Sequence, residues 1–548
     1  MGRAEQKADV LVKDQSPGDV KNEVSSRPED AHSFRLLSAE DKHGFMLLVL
    51  LYMLQGIPVG LAFGTMPFLL KSYVGYSQLG IFMLSTYPYS LKLLWSPIVD
   101  SLFVSAWRIP CTKLELSLGR RKSWIVPIQL IVGITFLVIS YQIDALLENA
   151  ETSIYLITLV FFGLIVLAAT QDIAVDGWAL TLLSEENVGF ASTAQTIGIN
   201  VGYFMSFTVF LALNSVEACN KYLRFRPQST PILTFPAYLQ LCAAAFILIT
   251  LWLLFFQKEK KEENNMDIVK AYATIWKIGK LRHVQLLLII HMICKIGYQA
   301  NDAVTGLKLV ERGLGKEDLA FAVLIDFPFQ LLFGYLTATW SKGNKALRPW
   351  MISLFFRLFF SVVNMGIVAG MPQDGSEVST SYFLLIVLTT VLNSFAGTVQ
   401  FVGVSAFHTQ ISDPIIGGTY MTLLNTVSNL GGTWPRYFVL KMVDYFGVSM
   451  CRPPVGVDMD KVENVLGQAN ASLSLGECKS DAGMKQCQSV GGSCVLVRDG
   501  YFATSTICVT VGLCTLLLFI MPVCRYLQRI PPVEWHVVSQ NQKKTLSR

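Results

Sequence analysis

Residues 257–265 read Gln-Lys-Glu-Lys-Lys-Glu-Glu-Asn-Asn, and this hydrophilic segment divides an otherwise apolar chain into two groups of hydrophobic runs. A membrane-spanning helix needs about 20 mostly apolar residues. Runs of this kind precede and follow the segment at 44–66, 78–100, 123–142, 153–175, 190–213, 233–256, 284–307, 319–340, 349–371, 381–405, 415–439 and 500–524. The sequence therefore predicts an all-α membrane protein with twelve transmembrane helices in two six-helix halves.

The composition of the 548-residue chain agrees with this class. Hydrophobic residues make up 52% and charged residues 15%, whereas an average soluble domain carries about 25% charged residues. The net charge of +5 is small and scattered, so we expect no nucleic-acid partner. The six histidines and eleven cysteines form no HExxH or CxxC motif. We therefore expect no metal and no cofactor.

The two halves also resemble each other. A shift of 240 residues aligns Pro88 in Tyr-Pro-Tyr with Pro328 in Phe-Pro-Phe, which places helix 2 on helix 8. A shift of 229 residues aligns Asn200 with Asn429 and places helices 4 and 5 on helices 10 and 11. Two parallel six-helix repeats are the architecture of major facilitator proteins, so we predict that fold.

Charges in the short loops predict the sidedness. Lysines and arginines concentrate between helices 2 and 3, between helices 8 and 9, and in the linker 257–283. The positive-inside rule places these segments in the cytosol. The halves are then 44–256 and 284–526, with cytosolic tails at 1–43 and 527–548. The N-terminal tail is polar, has no apolar signal-peptide core and is expected to be disordered.

The loop 441–499, between helices 11 and 12, falls on the opposite side. It contains four cysteines and one glycosylation sequon at Asn470. This combination is typical of an oxidising compartment. We expect a glycoprotein whose disulfides in this loop are drawn from Cys451, Cys478, Cys487 and Cys494, with the pairing open.

Helix 4 carries Asp172 and Asp176, which share a face because they are four residues apart. A charge at the bilayer centre costs about 2.5–3.5 kcal/mol, so each one needs a reason. Two close carboxylates rarely both ionise in a low dielectric. The pair is either a coupling site for a proton or cation, or a structural ion pair at the helix end.

Helix 7 places Lys295, Gln299 and Asp302 on one face, with Lys308 at its end. A polar face on an apolar helix favours a cavity-lining position, although Lys295 and Asp302 could also form a structural pair. Arg357 in helix 9 could bind phosphate in a bidentate manner or extend to the cytosolic surface.

Three further elements offer polar groups to a cavity. Lys92 in helix 2 is a candidate substrate cation or a partner for helix 4 or helix 11. Gln171 in helix 4, with Thr422 and Asn425 in helix 11, could hydrogen-bond a substrate. For the two helix 11 residues, interhelical hydrogen bonds are the alternative.

Asp100 and the sequence Gly-Arg-Arg-Lys at 119–122 match the major facilitator loop that latches helices 2 and 3 through Arg120 and Arg121. Positive-inside bias explains the charges but not Gly119. Eighteen residues, 101–118, separate Asp100 from Gly119, which is more than the usual pattern allows and puts the latch geometry in doubt.

Several long stretches together resemble the acetyl-coenzyme A transporters of the endoplasmic reticulum, solute carrier family 33. The resemblance covers about 44–526 and is carried by the stretches at 54–58, 90–95, 119–124, 168–180, 220–225, 302–310 and 416–432. It implies a carrier in the endoplasmic reticulum membrane that moves acetyl-CoA from cytosol to lumen, where it supplies acetylation. Bacterial relatives are muropeptide permeases, for which proton coupling is inferred.

The residues themselves predict a transporter of a large anion. Lys92, Lys295, Lys308 and Arg357 supply positive charge for phosphates, and amides such as Gln171 and Gln299 suit a pantetheine arm. A muropeptide-like or glutathione-like anion would suit the same groups.

A membrane acyltransferase is a weaker alternative because its acid–base groups would have to be His291 and His408. A receptor with an inactive transporter fold is disfavoured by the cost of the intramembrane charges. The expected partners are acetyl-CoA and the bilayer, and the oligomeric state, a homodimer included, stays open.

Overall fold

We describe the chain from a computed structural model. The structure describes residues 38–102, 106–108, 115–117, 119–184, 187, 190–259, 268–340, 347–372, 378–412, 417–452, 478, 487 and 493–536. Asn470 and both predicted tails, apart from 38–43 and 527–536, lie outside these residues.

The described residues form twelve long helical segments, each of which overlaps one predicted run. They are α1 (Ala39–Leu70), α2 (76–101), α3 (Lys122–Ser140), α4 (Ala150–Leu182), α5 (190–214), α6 (Phe235–Phe256), α7 (282–311), α8 (Lys316–Trp340), α9 (Leu347–Gly370), α10 (Thr380–Ile411), α11 (Gly417–Phe446) and α12 (Gly500–Leu527). Short helices lie at Ile143–Glu148, 216–223 and Pro532–Trp535, and a further one, the linker helix, spans Ile268–Gly279.

Eight of these segments are individually long and apolar enough to cross a membrane, and a ninth crossing is obtained if the linker helix and the start of α7 count as one bent span. The segments that do not qualify alone are α2, α7, α8 and α11. The described part of the chain therefore has a multi-pass helical fold, while twelve as the number of crossings stays a prediction.

Irregular turns within α2 and α7 explain why these two segments do not qualify as single apolar spans. The predicted continuous helix 2 is a series of short α-helical and 3₁₀ pieces, with 3₁₀ turns at Leu84–Thr86 and Lys92–Leu94. Helix α7 changes to 3₁₀ geometry at Ile296–Tyr298 and to a π-turn at Asn301–Thr305. Such irregular turns leave backbone groups imperfectly paired, and in a membrane they occur where protein or a polar cavity surrounds them.

Two small antiparallel sheets lie outside the helices. The segment 101–118 contains a hairpin in which Ala106–Arg108 (β1) pairs with Glu115–Ser117 (β2). The loop after α11 contains Val448–Arg452 (β3), which pairs with Ser493–Arg498 (β4). Disulfides join Cys451 to Cys487 and Cys478 to Cys494, with Cα atoms 5.6 Å apart in both pairs. Each strand is thus tied to the loop between them.

Close backbone contact holds α1 against α5. A Cβ atom built on Gly60 would lie 2.8 Å from the Cα of Tyr203. Small residues permit such approach between membrane helices. The packing of α1 on α5 fixes the position of the polar side chains that α1 directs towards α4.

Buried apolar residues form three main clusters whose arrangement differs between the two ends of the bundle. We call the ends the Glu311 end and the Asp100 end. At the Glu311 end a single core joins the halves, because it contains Leu79 and Phe82 of the first half together with Leu307 and Val439 of the second. Towards the Asp100 end the buried members of each cluster come from one half only, 45–253 in one cluster and 278–535 in the other. The halves are therefore packed together most extensively at the Glu311 end.

Candidate functional site

The first half contains a buried polar cluster centred on helix 4. Lys92 forms an ion pair with Asp172, and its Nζ lies 3.9 Å from a carboxylate oxygen of Asp176. The two carboxylates differ in exposure, because the side chain of Asp172 is fully buried and that of Asp176 is 42% exposed. Lys92 is thus the partner of helix 4 that the sequence suggested as one alternative.

Side chains of α1 and α5 complete this cluster. Gln55 donates to Asp172 over 2.6 Å and to the hydroxyl of Tyr89 over 3.1 Å. The Tyr52 hydroxyl donates to Asp176 over 2.6 Å, and Gln195 donates to the same carboxylate over 2.9 Å. Asp172 is held entirely by protein groups, whereas Asp176 keeps part of its surface accessible. Asp176 lies within the last two turns of α4 (Ala150–Leu182), so its partly exposed carboxylate is near the Asp100 end of that helix.

Gln171 does not belong to the accessible part of this cluster. Its side chain is buried at 1% exposure and donates to the backbone carbonyl of Leu51 over 3.2 Å. This is a hydrogen bond between α4 and α1, whereas the sequence had assigned Gln171 to the substrate.

The second half contains a matching cluster built around Arg357. Its Nη2 contacts both carboxylate oxygens of Asp302, at 2.7 and 2.5 Å, and its Nη1 donates to Asn393 over 2.9 Å. The guanidinium also lies 4.4 Å from the centre of the Tyr298 ring. Arg357 therefore points into the bundle rather than to the surface. Asp302 pairs with it, and not with Lys295.

Lys295 and Arg436 form a second cationic group in the same half. Lys295 donates to the carbonyl of Ser428 over 2.8 Å. With its amide oriented to satisfy both neighbours, Gln299 donates to the carbonyl of Gly432 and accepts from Nε of Arg436, each over 3.2 Å. Lys295 and Arg436 are close enough to repel each other electrostatically. Among the described residues neither has a carboxylate at ion-pair distance, and Asp302 attracts both from farther away.

Helix α11 presents a polar ridge beside these cations. Asn425 and Asn429 are exposed although they lie inside the helix. Asn425 also approaches Nδ1 of His408 at 3.0 Å, and Nε2 of His408 lies 2.8 Å from Nε2 of His291. Both histidines are buried, at 0% and 1% exposure, and contact each other. Thr422, one turn before Asn425, is half-buried.

The predicted contact between Asp100 and the two arginines, Arg120 and Arg121, is formed although the segment 101–118 separates them in the chain. Arg121 pairs with Asp100 over 2.7 Å, and Arg120 donates to the backbone carbonyl of Asp100. Glu259 accepts from the backbone N–H groups of Arg121 and of the next residue over 2.8 and 2.9 Å. A Cβ atom at Gly119 would lie 2.6 Å from the Cβ of Glu259, which accounts for the glycine. Within the intervening segment, the described residues Ala106–Arg108 and Glu115–Ser117 pair as antiparallel strands.

Lys308 lies apart from the other candidate cations, at the Glu311 end. Its side chain is 3% exposed and contacts carboxylates of Asp499 and Glu311, both at 3.0 Å. Across the interface between the halves, Tyr76 donates to Glu311 over 2.7 Å and Lys71 lies 3.7 Å from it. This ionic network closes the Glu311 end, and Lys308 is a member of it.

A model of the acetyl-coenzyme A transporter 1 family matches residues 44–265, 259–348 and 343–537. The chain belongs to this family. An uncharacterized membrane protein of Saccharomyces cerevisiae is 39% identical over 91% of this chain and 98% of its own length. The chain is a membrane transporter with the major facilitator fold, as the sequence predicted.

Solved structures support the fold. A bacterial homolog of the human lysosomal transporter Spinster, in an inward-facing and unoccupied conformation, superposes with a TM-score of 0.58 at 14% identity, covering 90% of this chain and 100% of that chain. A D-xylose–proton symporter superposes with a TM-score of 0.53 at 11% identity, covering 87% and 98%.

The most consequential residue absent from the sequence prediction is Arg436. Its signal was a charge inside the apolar run of helix 11, directly after Pro435. Gln55 and Tyr52 were likewise overlooked, although Gln55 is a polar residue within an apolar helix. Their importance depends on partners more than 100 residues away, which no local pattern discloses.

Proposed function

We propose that this protein carries acetyl-CoA from the cytosol into the lumen of the endoplasmic reticulum by alternating access. The family to which the chain belongs is named for acetyl-CoA transport. The arrangement of the two halves and the distribution of charge between them support this proposal.

The observation that carries the mechanism is the difference between the two ends of the bundle. One apolar core and the Glu311 network join the halves at one end, while each half keeps its own core at the other. A carrier of this class works by rocking its halves around a central site. The state described here is closed at the Glu311 end, so we expect the substrate to enter from the Asp100 end.

The charges of the second half favour an anionic substrate. Among the residues that the structure describes, Lys295, Arg357 and Arg436 face one nearby carboxylate, Asp302, so these four side chains have a formal charge of +2. Acetyl-CoA carries several phosphate charges at one end and a long amide-containing arm at the other. Arg357 is engaged by Asp302, which leaves Lys295 and Arg436 as the preferred phosphate ligands. Gln299 and the exposed Asn425 and Asn429 are suited to the amides.

The first half supplies the coupling group in this proposal. Lys92 offers one positive charge to two carboxylates, so the cluster is complete only when a proton or cation accompanies it. Asp176 is the exposed member and is the group that we expect to exchange with the cavity. Asp172, which is buried and fully bonded, is expected to hold the helices together.

Sidedness follows from the loop charges. With the Asp100 end in the cytosol, both termini are cytosolic and the loop with Cys451 and Asn470 is luminal. The two disulfides of that loop agree with an oxidising lumen.

The test is uptake by liposomes that contain the purified protein. Acetyl-CoA is labelled on the acetyl group in one sample and on the adenine in another. We expect both labels to accumulate together, Lys295→Gln to reduce uptake about tenfold or more, and Lys441→Gln to leave it unchanged. Lys441 is the matched control because it lies on the same helix as Arg436 but is exposed at its end.

Each other outcome contradicts the proposal in a distinct way. Entry of the acetyl label alone would indicate acyl transfer. No entry of either label by folded protein would exclude acetyl-CoA, and glutathione-like and muropeptide-like anions would then be compared in the same liposomes.

A further inference from the structure

The linker helix, Ile268–Gly279, is sharply bent away from the helix that follows it. Its axis makes an angle of 85° with the first part of α7, from which it is separated by two residues. The linker helix is therefore nearly perpendicular to the first part of α7, and an α7 that crosses the membrane would place it close to the membrane plane. A helix in this orientation at the end of a bundle lies at the depth of the lipid headgroups.

One face of the linker helix packs on the protein. Ile278 is fully buried in the core of the second half, and Ile275 packs against the same core. Tyr272 donates to the backbone carbonyl of Leu94 in α2, over 2.6 Å. This one short helix therefore contacts both halves at the Asp100 end.

The opposite face combines apolar and basic side chains. Val269 is 74% exposed and Trp276 is 68% exposed. Together with Ala273 they follow one another at spacings of four and three residues, so they form one stripe. Lys277 borders the stripe, and Lys280 follows it with its Nζ 5.3 Å from the Trp276 ring.

The composition of this helix identifies its environment. The sequence Ile268–Gly279 contains two lysines and no acidic residue, and Lys280 and Arg282 follow directly. Exposed tryptophan beside lysine is characteristic of helices that lie in a membrane interface, where the apolar ring enters the acyl boundary and the ammonium groups meet phosphates. A helix facing only water would have no reason to expose Trp276 and Val269.

We propose that the linker helix binds the headgroups of anionic phospholipids in the leaflet at the Asp100 end, with Lys277 and Lys280 as ligands and Trp276 as the anchor. The same helix holds α2 through Tyr272 and the second half through Ile278. The proposal is independent of which anion the protein carries.

Lipid binding is measured without any transport step. The full-length protein receives a single fluorophore at Ala273→Cys, with the exposed Cys514 and also Cys111, which lies outside the described residues, replaced by serine. It is reconstituted in phosphatidylcholine vesicles that contain brominated phosphatidylserine or, in parallel, brominated phosphatidylcholine as quencher. We expect phosphatidylserine to quench the fluorophore at a lower mole fraction than phosphatidylcholine, and added salt to reduce the difference.

Three double variants separate the effect of the two lysines from that of general surface charge. Lys277→Gln with Lys280→Gln is expected to raise the half-quenching fraction of phosphatidylserine by about five-fold per lysine. Arg525→Gln with Arg529→Gln removes two exposed cations from the end of α12 and is expected to leave the preference intact. Lys277→Arg with Lys280→Arg preserves the charge and should retain it.

Equal quenching by the two lipids in the labelled protein that keeps Lys277 and Lys280 would overturn the proposal. So would a preference for phosphatidylserine that survives the double glutamine variant, or one that disappears equally in the α12 control. If the double arginine variant keeps the preference for phosphatidylserine, the loss of that preference in the double glutamine variant is due to the lost charge and not to misfolding.

Discussion

The two aspartates of helix 4 provide the sharpest test of the structure, because they have the same chemistry and different surroundings. Asp172 is fully buried, accepts from Gln55 and pairs with Lys92, whereas Asp176 is 42% exposed. We predict that Asp172 acts mainly in stability and Asp176 mainly in transport. The perturbations are Lys92→Met, Asp172→Asn, Asp176→Asn and the double change Lys92→Met/Asp172→Asn.

The expected magnitudes follow from burial. Removing Lys92 leaves the Asp172 carboxylate buried without a cation, and breaking a buried pair in this way costs about 3–5 kcal/mol. Asp172→Asn alone retains an oxygen for Gln55 and loses one charge-assisted hydrogen bond, which costs about 1.5–3 kcal/mol. Asp176 is partly solvated and 3.9 Å from Lys92, so its neutralisation costs about 0–1 kcal/mol.

The assay combines thermal unfolding of the purified variants in detergent with uptake in liposomes. Lys92→Met should have the lowest midpoint, and Asp172→Asn added to it should raise that midpoint, because the double change removes both members of the pair. Asp176→Asn should unfold close to the unmodified protein and yet lose most of its uptake. Equal destabilisation by the two asparagine variants, or a double variant less stable than Lys92→Met, would refute this reasoning.

Further predictions concern the cations, the disulfides and the latch. Arg436→Gln should reduce acetyl-CoA uptake about tenfold without a change in unfolding midpoint, while Lys441→Gln has no effect; unchanged uptake would remove Arg436 from the site. Cys451→Ser should free Cys487 and leave Cys478 and Cys494 protected, as read by alkylation and peptide mass spectrometry; alkylation of Cys478 or Cys494 would contradict the pairing. Gly119→Ala should lower the unfolding midpoint, because its Cβ would overlap the glutamate that caps α3; a midpoint equal to that of the unmodified protein would show that the latch can move aside.

Local sequence patterns singled out several residues that the structure places in the buried polar clusters. Charged residues in apolar runs are rare enough to be noticed individually, so Lys92, Asp172 and Arg357 were recognised without a structure. Their pairing was not predictable, because Lys92 and Asp172 are 80 residues apart and Arg357 and Asp302 are 55 apart. Periodicity placed Lys295 and Asp302 on one face, but the irregular turns of α7 and the position of α9 gave Asp302 a different partner.

Lys308 and Gln171 illustrate a second limit. Both are polar residues in apolar helices, and sequence alone assigned them to the substrate. In the structure Lys308 belongs to the ionic network at the Glu311 end, and Gln171 bonds the backbone of α1. Because burying a polar side chain costs free energy, a polar residue in an apolar helix is expected to have a partner. That partner can equally be another part of the protein or the substrate.

The sequence by itself determined the class of the protein, its two halves and its family, because hydrophobic length, charge asymmetry and long motifs are properties of contiguous residues. Only the tertiary structure decided which carboxylate is buried, which cations lack a carboxylate partner and which end of the bundle is closed. These properties depend on contacts between helices distant in the chain, and in a membrane the free energy of a charge is set by its immediate neighbours.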